Sequence, residues 1–507
     1  MEKQTRLFTA CIIALVAVAF GFVIRAFVLN DWGVLFNLTE SQKGSIQGAG
    51  LYPQALSIVF FSLVIDRIGY GRTIAFAFIA HVVSAIITIT ATGFKGLYFG
   101  TFVFALAGGA IEAAINPITA TLFSQTKTKH LNILHAGWPG GLVIGGLLVI
   151  MLGGTGGPDA WRWKIALLLI PTLIYGVMML REKFPVQERV AAGVSYADML
   201  KEFGWAGCLI LSTFAAYAVD EILGVFDMHL PLWATLLIAG VPTVIFMVRV
   251  RSFGRPMFIF LMLVMILLAT TELGTDSWIA DLMKPVLKAF GENAGNWVLI
   301  YTSSIMFVLR FCAGPIAHRL SPLGLLATCA VIASTGLFWL AHAGAAPFMI
   351  FLAATCYGFG KTFFWPTTLG VVSEQFPRGG ALTLSAIAGV GMISAGVLGN
   401  PLLGTIQDHF LDKTLAAQNS ALHEKLAEPE QKKFGLTYRA LDKARVAALP
   451  AAEKAEVEIL TTANNQHTLA IVAILPAVMF ACYLALILFF RSRGGYRQVH
   501  LADESAH

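Results

Sequence analysis

Charge is scarce in this sequence. Asp, Glu, Lys and Arg make up 13% of its 507 residues, against roughly 25% in an ordinary soluble domain. So little charge cannot cover a water-facing surface on a chain this long, and the mean hydropathy of +0.75 agrees. Soluble enzymes, disordered chains and nucleic-acid binders are excluded together. The net charge of +6 is spread over short loops and forms no basic patch. Cysteine is also sparse: six stand singly, at positions 11, 208, 312, 329, 356 and 482, each in an apolar run. Without a CxxC or Cys/His metal spacing they indicate neither a disulfide framework nor a zinc site, and they read as small core residues. No GxSxG, HExxH or Walker pattern occurs, so the chain is not expected to be an enzyme, to use ATP or to need a cofactor.

What is present is a series of apolar runs. Windows of the length a membrane helix needs give fourteen, near 8–29, 46–65, 73–92, 97–122, 132–154, 163–180, 204–223, 230–248, 256–278, 295–316, 323–342, 346–371, 381–405 and 468–490. The basic start followed by an apolar run mimics a signal peptide. The run is too long, however, and lacks a small-x-small cleavage site, so it reads as the first span. Backbone polar groups in lipid must pair within their own segment, which makes these runs helices. Alternate short loops carry 18 Lys or Arg against 6 in the others. The asymmetry predicts a multi-pass protein of the cytoplasmic (inner) membrane with both termini in the cytoplasm. Residues 407–467 stand apart. They are polar, with 8 Lys/Arg and 9 Asp/Glu, and predict two or three short amphipathic helices broken at Pro429 and Pro450 on the outer side. Two readings of that insertion stand, a cap over the outer mouth and a simple solvated insertion.

Three cations, Arg25, Arg310 and Lys361, and three acids, Glu112, Glu272 and Asp276, fall inside predicted spans. Ionisable groups in a bilayer mark a functional site unless they are static salt bridges between helices, the competing reading. Glu112 and Asn116 share a helix face at i, i+4, and Pro117 follows. Glu272 and Asp276 repeat that spacing around Gly274, as do Lys361 and Trp365 before Pro366. Two carboxylates at this spacing repel when both are ionised, which suits reversible protonation. Alternatively, Asp276 simply sits at the outer end of its span. His135 lies on a Gly-rich span near Asn132 and Trp138. With Gln54 in the second span, these residues suit a polar cavity with aromatic walls for a sugar-like solute. The stretch Gly137-Trp138-Pro139-Gly140-Gly141 and the pair Gly145-Gly146 read as close helix packing or as a hinge.

The loop Ser62-Leu-Val-Ile-Asp66-Arg67-Ile-Gly69-Tyr-Gly71-Arg72 resembles the signature of the major facilitator superfamily, with Ser62 in place of the usual first glycine. Its acid can cap a helix N-terminus and pair with an arginine, so Asp66, Arg67, Gly69 and Arg72 form a candidate conformational latch. The equivalent in the second half, Gly314-Pro-Ile-Ala-His318-Arg319-Leu-Ser321, lacks the acid. Within the superfamily, Gly109-Ala-Ile-Glu112-Ala-Ala-Ile-Asn116-Pro117 and Leu131-Asn132-Ile-Leu-His135-Ala resemble the fucose–galactose–glucose proton symporters. Gly360-Lys361-Thr-Phe-Phe-Trp365-Pro366-Thr367 and Glu272-Leu-Gly274-Thr-Asp276-Ser-Trp278 resemble their later spans.

The resemblance implies an all-α polytopic bundle of two six-helix halves, here with an inserted helix pair, and alternating access to a midplane site. The expected division is an N-terminal half (1–180), a linker with the inserted pair (181–255), a C-terminal half (256–490) holding insertion 407–467, and a tail (491–507). The expected function is proton-coupled sugar symport by a monomer in the lipid bilayer, with the proton gradient as driving force and no nucleic-acid partner. Carry-over makes Glu112 and Asn116 contacts for substrate or proton. Asn116, His135, Asn132, Gln54, Glu272, Asp276, Lys361 and Trp365 are the candidate substrate residues. The family's proton-coupling Asp in span one is replaced by Ile24 or Arg25. Arg25 either pairs with Glu112 as a coupling device, or joins Arg310 and Lys361 to receive an anion. An organic-anion carrier is the alternative within transport; a solute sensor and a membrane-embedded enzyme are the alternatives outside it.

Overall fold

A computed structural model describes residues 2–38, 40–153, 157–224, 226, 228–276, 294–343, 346–433, 435–442, 445–446 and 448–501. Trp278, Lys284 and Lys288 lie outside them. Among the described residues, thirteen helices are long and apolar enough to cross a membrane, and a shorter apolar one makes fourteen. We label them in chain order: α1 (Lys3–Leu29), α2 (Gln42–Ile68), α3 (Tyr70–Ile89), α4 (Phe94–Leu122), α5 (Lys127–Leu152), α6 (Ala160–Met179), α7 (Tyr196–Gly224), α8 (Leu232–Val250), α9 (Pro256–Gly274), the short α10 (Trp297–Phe311), α11 (Pro322–Ala341), α12 (Phe348–Gln375), α13 (Pro377–Gln418) and α14 (Ala451–Arg491). The protein is therefore a multi-pass helical bundle.

The two halves, α1–α6 and α9–α14, meet along α2 with α13 and along α5 with α10 and α12. Small residues allow this. A Cβ on Gly389 would lie 2.8 Å from Val59, and one on Gly140 2.8 Å from Phe307. The glycines near Pro139 thus serve close packing, Gly140 and Gly146 against α10 of the other half and Gly137, Gly141 and Gly145 against α1 of their own.

The pair α7 and α8 is inserted between the halves, and its two ends meet. Trp205 N–H donates to Ser252 O (2.9 Å) and Arg255 N–H to Glu202 O (3.0 Å). Gly204 takes φ +66° and Gly254 φ +100°, and a Cβ on Gly204 would fall 2.0 Å from the Gly254 nitrogen. Only glycine allows both the backbone angle and the approach. The chain leaves and rejoins the bundle at one point, so the pair adds to the bundle without displacing either half. α7 packs on α13, and α8 packs on α7. Leu232, Trp233, Leu236, Val244 and Val248 of α8 are exposed, as a lipid-facing helix requires.

The polar insertion departs from expectation. Instead of separate amphipathic helices, the spans themselves continue into it as the far ends of α13 and α14. Between them, among the described residues, stand a short helix, Ser420–Leu426, and an antiparallel hairpin of β1 (Gln431–Lys433) and β2 (Leu436–Tyr438). The predicted breaks hold: Pro450 caps the helix start and Pro429 separates helix from strand. Leu415, Leu422, Leu426, Leu449, Val457 and Leu460 form a small core of their own. The sequence hid this because six apolar residues spread over 46 positions carry no periodic signal.

Both termini lie at the same end of the bundle, here called the terminal face. Gln4 donates to Leu122 O (2.6 Å) and Gln498 to Ser124 O (2.6 Å). The six cysteines are unpaired. Cys11 and Cys329 are core residues as expected, but Cys312 is exposed.

Candidate functional site

Glu112 and Asn116 sit one turn apart on α4, both almost fully buried. Gln54 of α2 donates to Glu112 Oε1 (2.7 Å). Glu112 Oε2 and Asn116 Nδ2 are buried without a hydrogen-bond partner. Asn116 Oδ1 lies 3.0 Å from His135 Nε2 on α5. Pro117 lies within α4, past the turn that carries both residues. The i, i+4 face predicted from sequence is thus a real polar face, extended by Gln54 and His135.

Across the interface, Arg310 of α10 connects this face to the other half. Its Nε–H donates to Thr362 O (2.9 Å), one Nη to His135 O (2.6 Å) and the other to Glu272 Oε1 (3.3 Å). Lys361 pairs with Asp276. Glu272 and Asp276, one helix turn apart, are thus each held by a separate cation. The backbone contributes to this separation. Thr270–Gly274 is a π-helical turn, whose extra residue per turn rotates Glu272 away from the regular α register. A second π-turn, Ala395–Gly399 in α13, faces it, and a Cβ on Gly399 would meet Thr270 Oγ1 at 2.9 Å. Trp365 lies against Gly391 of α13, where a Cβ would come within 2.7 Å of its ring.

Arg25 does not pair with Glu112. Its guanidinium donates to Ser84 Oγ (2.8 Å), Thr88 Oγ1 (3.5 Å) and Gly21 O (3.2 Å), and lies 4.2 Å over the Phe104 ring. All of these belong to α1, α3 and α4, so Arg25 ties the N-terminal half together. Phe104 lies two turns from Glu112 along α4. Arg25 also stands apart from Arg310 and Lys361, which both hold the Glu272–Asp276 pair. The pairing expected from sequence fails because depth in the bilayer says nothing about the direction a residue faces around its helix.

Asn132 also has a different setting. Its Nδ2 donates to Thr128 O (2.9 Å) and to Thr367 Oγ1 (3.2 Å) on α12, which places it in a seam between the halves on the terminal side. In the same seam Glu374 Oε1 accepts from Thr128 N–H (3.2 Å) and Oγ (2.6 Å), at the N-terminus of α5. Lys127 donates to Ser373 O (3.2 Å) and pairs with Glu188 (2.6 Å). Sequence reading missed Glu374, Thr128 and Thr367. Glu374 stands just past the predicted end of its span, where an acid reads as a loop residue.

The latch loop also reaches outward. Asp66 pairs with Arg189 of the linker, not with its neighbours Arg67 or Arg72. With the Gln187 amide nitrogen facing Asp66 Oδ1 (2.6 Å), its oxygen accepts from Ala381 N–H at the start of α13. Asp66 is thereby linked through Gln187 to the other half. Arg67 lies 5.4 Å from the Tyr196 ring, and Arg72 is exposed. Gly69 adopts φ +82° between α2 and α3, a conformation that favours glycine.

The C-terminal tail crosses the same seam. Tyr496 OH donates to Glu374 Oε2 (2.7 Å), Val499 N–H to Glu374 O (2.9 Å), and Gln375 to Arg497 O (2.8 Å). Burial beside the Glu374 carboxylate pushes the Tyr496 phenol well above its ordinary range, so it stays a donor.

Comparison with known proteins agrees with this architecture. The human organic anion transporter MFSD10 superposes with a TM-score of 0.63 at 12% identity, covering 95% of this chain and 99% of that one. The proton:xylose symporter XylE gives 0.61 at 13%, covering 95% of each. FucP in its outward conformation gives 0.56 at 15%, covering 94% and 97%. At such identities the likeness concerns the fold alone. No curated protein sequence matches the chain. Residues 7–400 match the profile of the Major Facilitator Superfamily, and the chain belongs to that family of transporters.

Proposed function

We propose that this protein is a secondary active transporter that carries a small neutral polar solute, a sugar by its hydrogen-bonding demand, together with a proton by alternating access. The observation that carries the reading is the charge balance of the midplane. Arg310 and Lys361 already hold Glu272 and Asp276. Glu112 is held by an amide alone, with one oxygen left unpartnered beside an unpartnered Asn116 nitrogen. A buried carboxylate without a cation is costly, and a proton neutralises it. The open acceptor and donor then suit hydroxyl groups of a solute.

In the conformation described, the terminal face is closed by the Glu374–Thr128 seam. The bias of Lys and Arg toward that face supports its assignment to the cytoplasm. The competing reading, an organic-anion carrier, draws on Arg25, a buried cation that meets hydroxyls, a carbonyl and a ring.

The test is uptake by the purified full-length protein in liposomes under an inward proton gradient, with labelled hexoses, pentoses and carboxylates. Sugar accumulation that collapses with the gradient is expected. Glu112→Gln is expected to abolish accumulation while retaining exchange of solute across the membrane. Gradient-driven uptake of carboxylates but not sugars would overturn the neutral-solute reading. Unchanged accumulation in Glu112→Gln would overturn proton carriage by that residue.

A further inference from the structure

Arg310 makes two of its hydrogen bonds to backbone carbonyls inside membrane helices, where carbonyls are normally occupied. In an α-helix the oxygen of residue i accepts the N–H of residue i+4. For His135 that residue is Pro139, and for Thr362 it is Pro366; proline has no N–H. Each proline thus frees one carbonyl, one on α5 of the N-terminal half and one on α12 of the C-terminal half. A freed carbonyl in lipid must find another donor. Both find the same one, at 2.6 and 2.9 Å. Arg310 is itself buried, and its charge is balanced by Glu272 at 3.3 Å.

We propose that Arg310 is a positioning residue that seats the two proline-kinked helices, one from each half, on a single guanidinium, and so sets their register at the solute site. The rigid, forked donor geometry of arginine is what the role demands, and the point charge of lysine does not supply it. On this assignment Pro139 and Pro366 act chiefly as carbonyl donors to Arg310. Binding events that reach Glu272 reach the register of both halves through the same side chain. The proposal rests on the transport reading for its purpose, but its test does not.

Spin labels are placed at Gln125→Cys in the loop after α4 and Arg319→Cys before α11, in full-length protein with its native cysteines replaced, reconstituted in lipid nanodiscs. Both positions are exposed on the terminal face, one in each half. The distance distribution between them is compared across variants. Pro139→Ala restores an N–H that competes for His135 O. It is expected to reduce the fraction in the wild-type distance peak by roughly two- to tenfold, the worth of one hydrogen bond. Arg310→Gln and Arg310→Lys are expected to do the same or more. Pro139→Ala is expected to add nothing in the Arg310→Gln background.

Additive effects of the two substitutions, or a wild-type distribution in Arg310→Lys, would overturn the proposal. The latter would mean that the charge opposite Glu272 is what matters. Should Arg310→Gln not fold, Pro139→Ala and Pro366→Ala are read alone, and an unchanged distribution in both would equally overturn it. Because the measurement uses no solute, loss of sugar uptake with an intact distance response would count against the transport reading only.

Discussion

Gly109 shows how tightly the polar face on α4 is held. A Cβ there would lie 2.3 Å from the Gln54 carbonyl oxygen and 2.8 Å from the Ile58 nitrogen, both backbone atoms that cannot step aside. Gly109→Ala is expected to push α2 from α4, loosen Gln54 from Glu112, and cost about 1–3 kcal/mol. A lowered melting temperature of the detergent-solubilised protein checks this, with Gly240→Ala as control, since a Cβ there meets nothing within 4 Å. At this scale the sequence was most readable where residues lie on one helix. Glu112 with Asn116 could be read from helical spacing, and His135 from its neighbours. Readings that depended on two helices fared worse. Arg25 was matched to Glu112 by depth and faces Phe104 instead. Glu272 and Asp276 could be read from spacing as a close pair of acids, but not the cations on other helices that hold them. Arg310 escapes a side-chain reading altogether, because two of its three partners are backbone oxygens. The signal that could have found them is arithmetic: counting four residues back from each proline in a span.

Elements behaved more predictably. Apolar length alone located the spans seen among the described residues, because a bilayer demands about 20 residues and a closed backbone. The inserted pair was legible as a surplus of two apolar runs between basic loops. Its closed base was not, since the approach of Gly204 to Gly254 joins positions 50 apart. That closure makes a prediction. Excising residues 205–253 and joining Gly204 to Gly254 is expected to leave a folded twelve-span protein with both termini still on one face. Size-exclusion chromatography and helical circular dichroism of the excised protein check it, with aggregation as the contrary result. The latch loop belongs to this scale too. Asp66→Asn removes the partner of the buried Arg189, and leaving that charge unpaired is expected to cost about 3–5 kcal/mol. Arg189→Met combined with Asp66→Asn is expected to recover most of that loss, measured by thermal unfolding. The two π-turns were invisible in the sequence, because one extra residue in a helix leaves the hydrophobic pattern nearly unchanged.

For the whole molecule, the terminal face is a seam fastened from three directions. Asn132 and Thr128 meet α12, Gln187 joins the latch to α13, and the tail crosses over Glu374. Glu374 is common to two of these, with one carboxylate oxygen serving the other half and one serving the tail. Truncation after Gly495 removes four hydrogen bonds, of which Gln498 to Ser124 O reaches the N-terminal half, and is expected to weaken closure by about one neutral hydrogen bond, or roughly two- to tenfold in opening. Hydrogen exchange of the segment 127–135 is expected to quicken accordingly in the truncated protein, while segments in α8 keep their rates. Equal rates in both proteins would show that the tail merely rests on the seam.

The continuation of α13 into the polar insertion has a practical consequence. Asn400–Gln418 is 19 residues of unbroken helix, about 28 Å long, leading from the interface with α2 into the module with its own small core. Domain rotations on the order of 15° at its base would sweep its tip through about 7 Å. Under the proposed alternating access, each cycle would swing this module like a pointer in the water. A fluorophore on the exposed hairpin would report each turnover without touching the solute path.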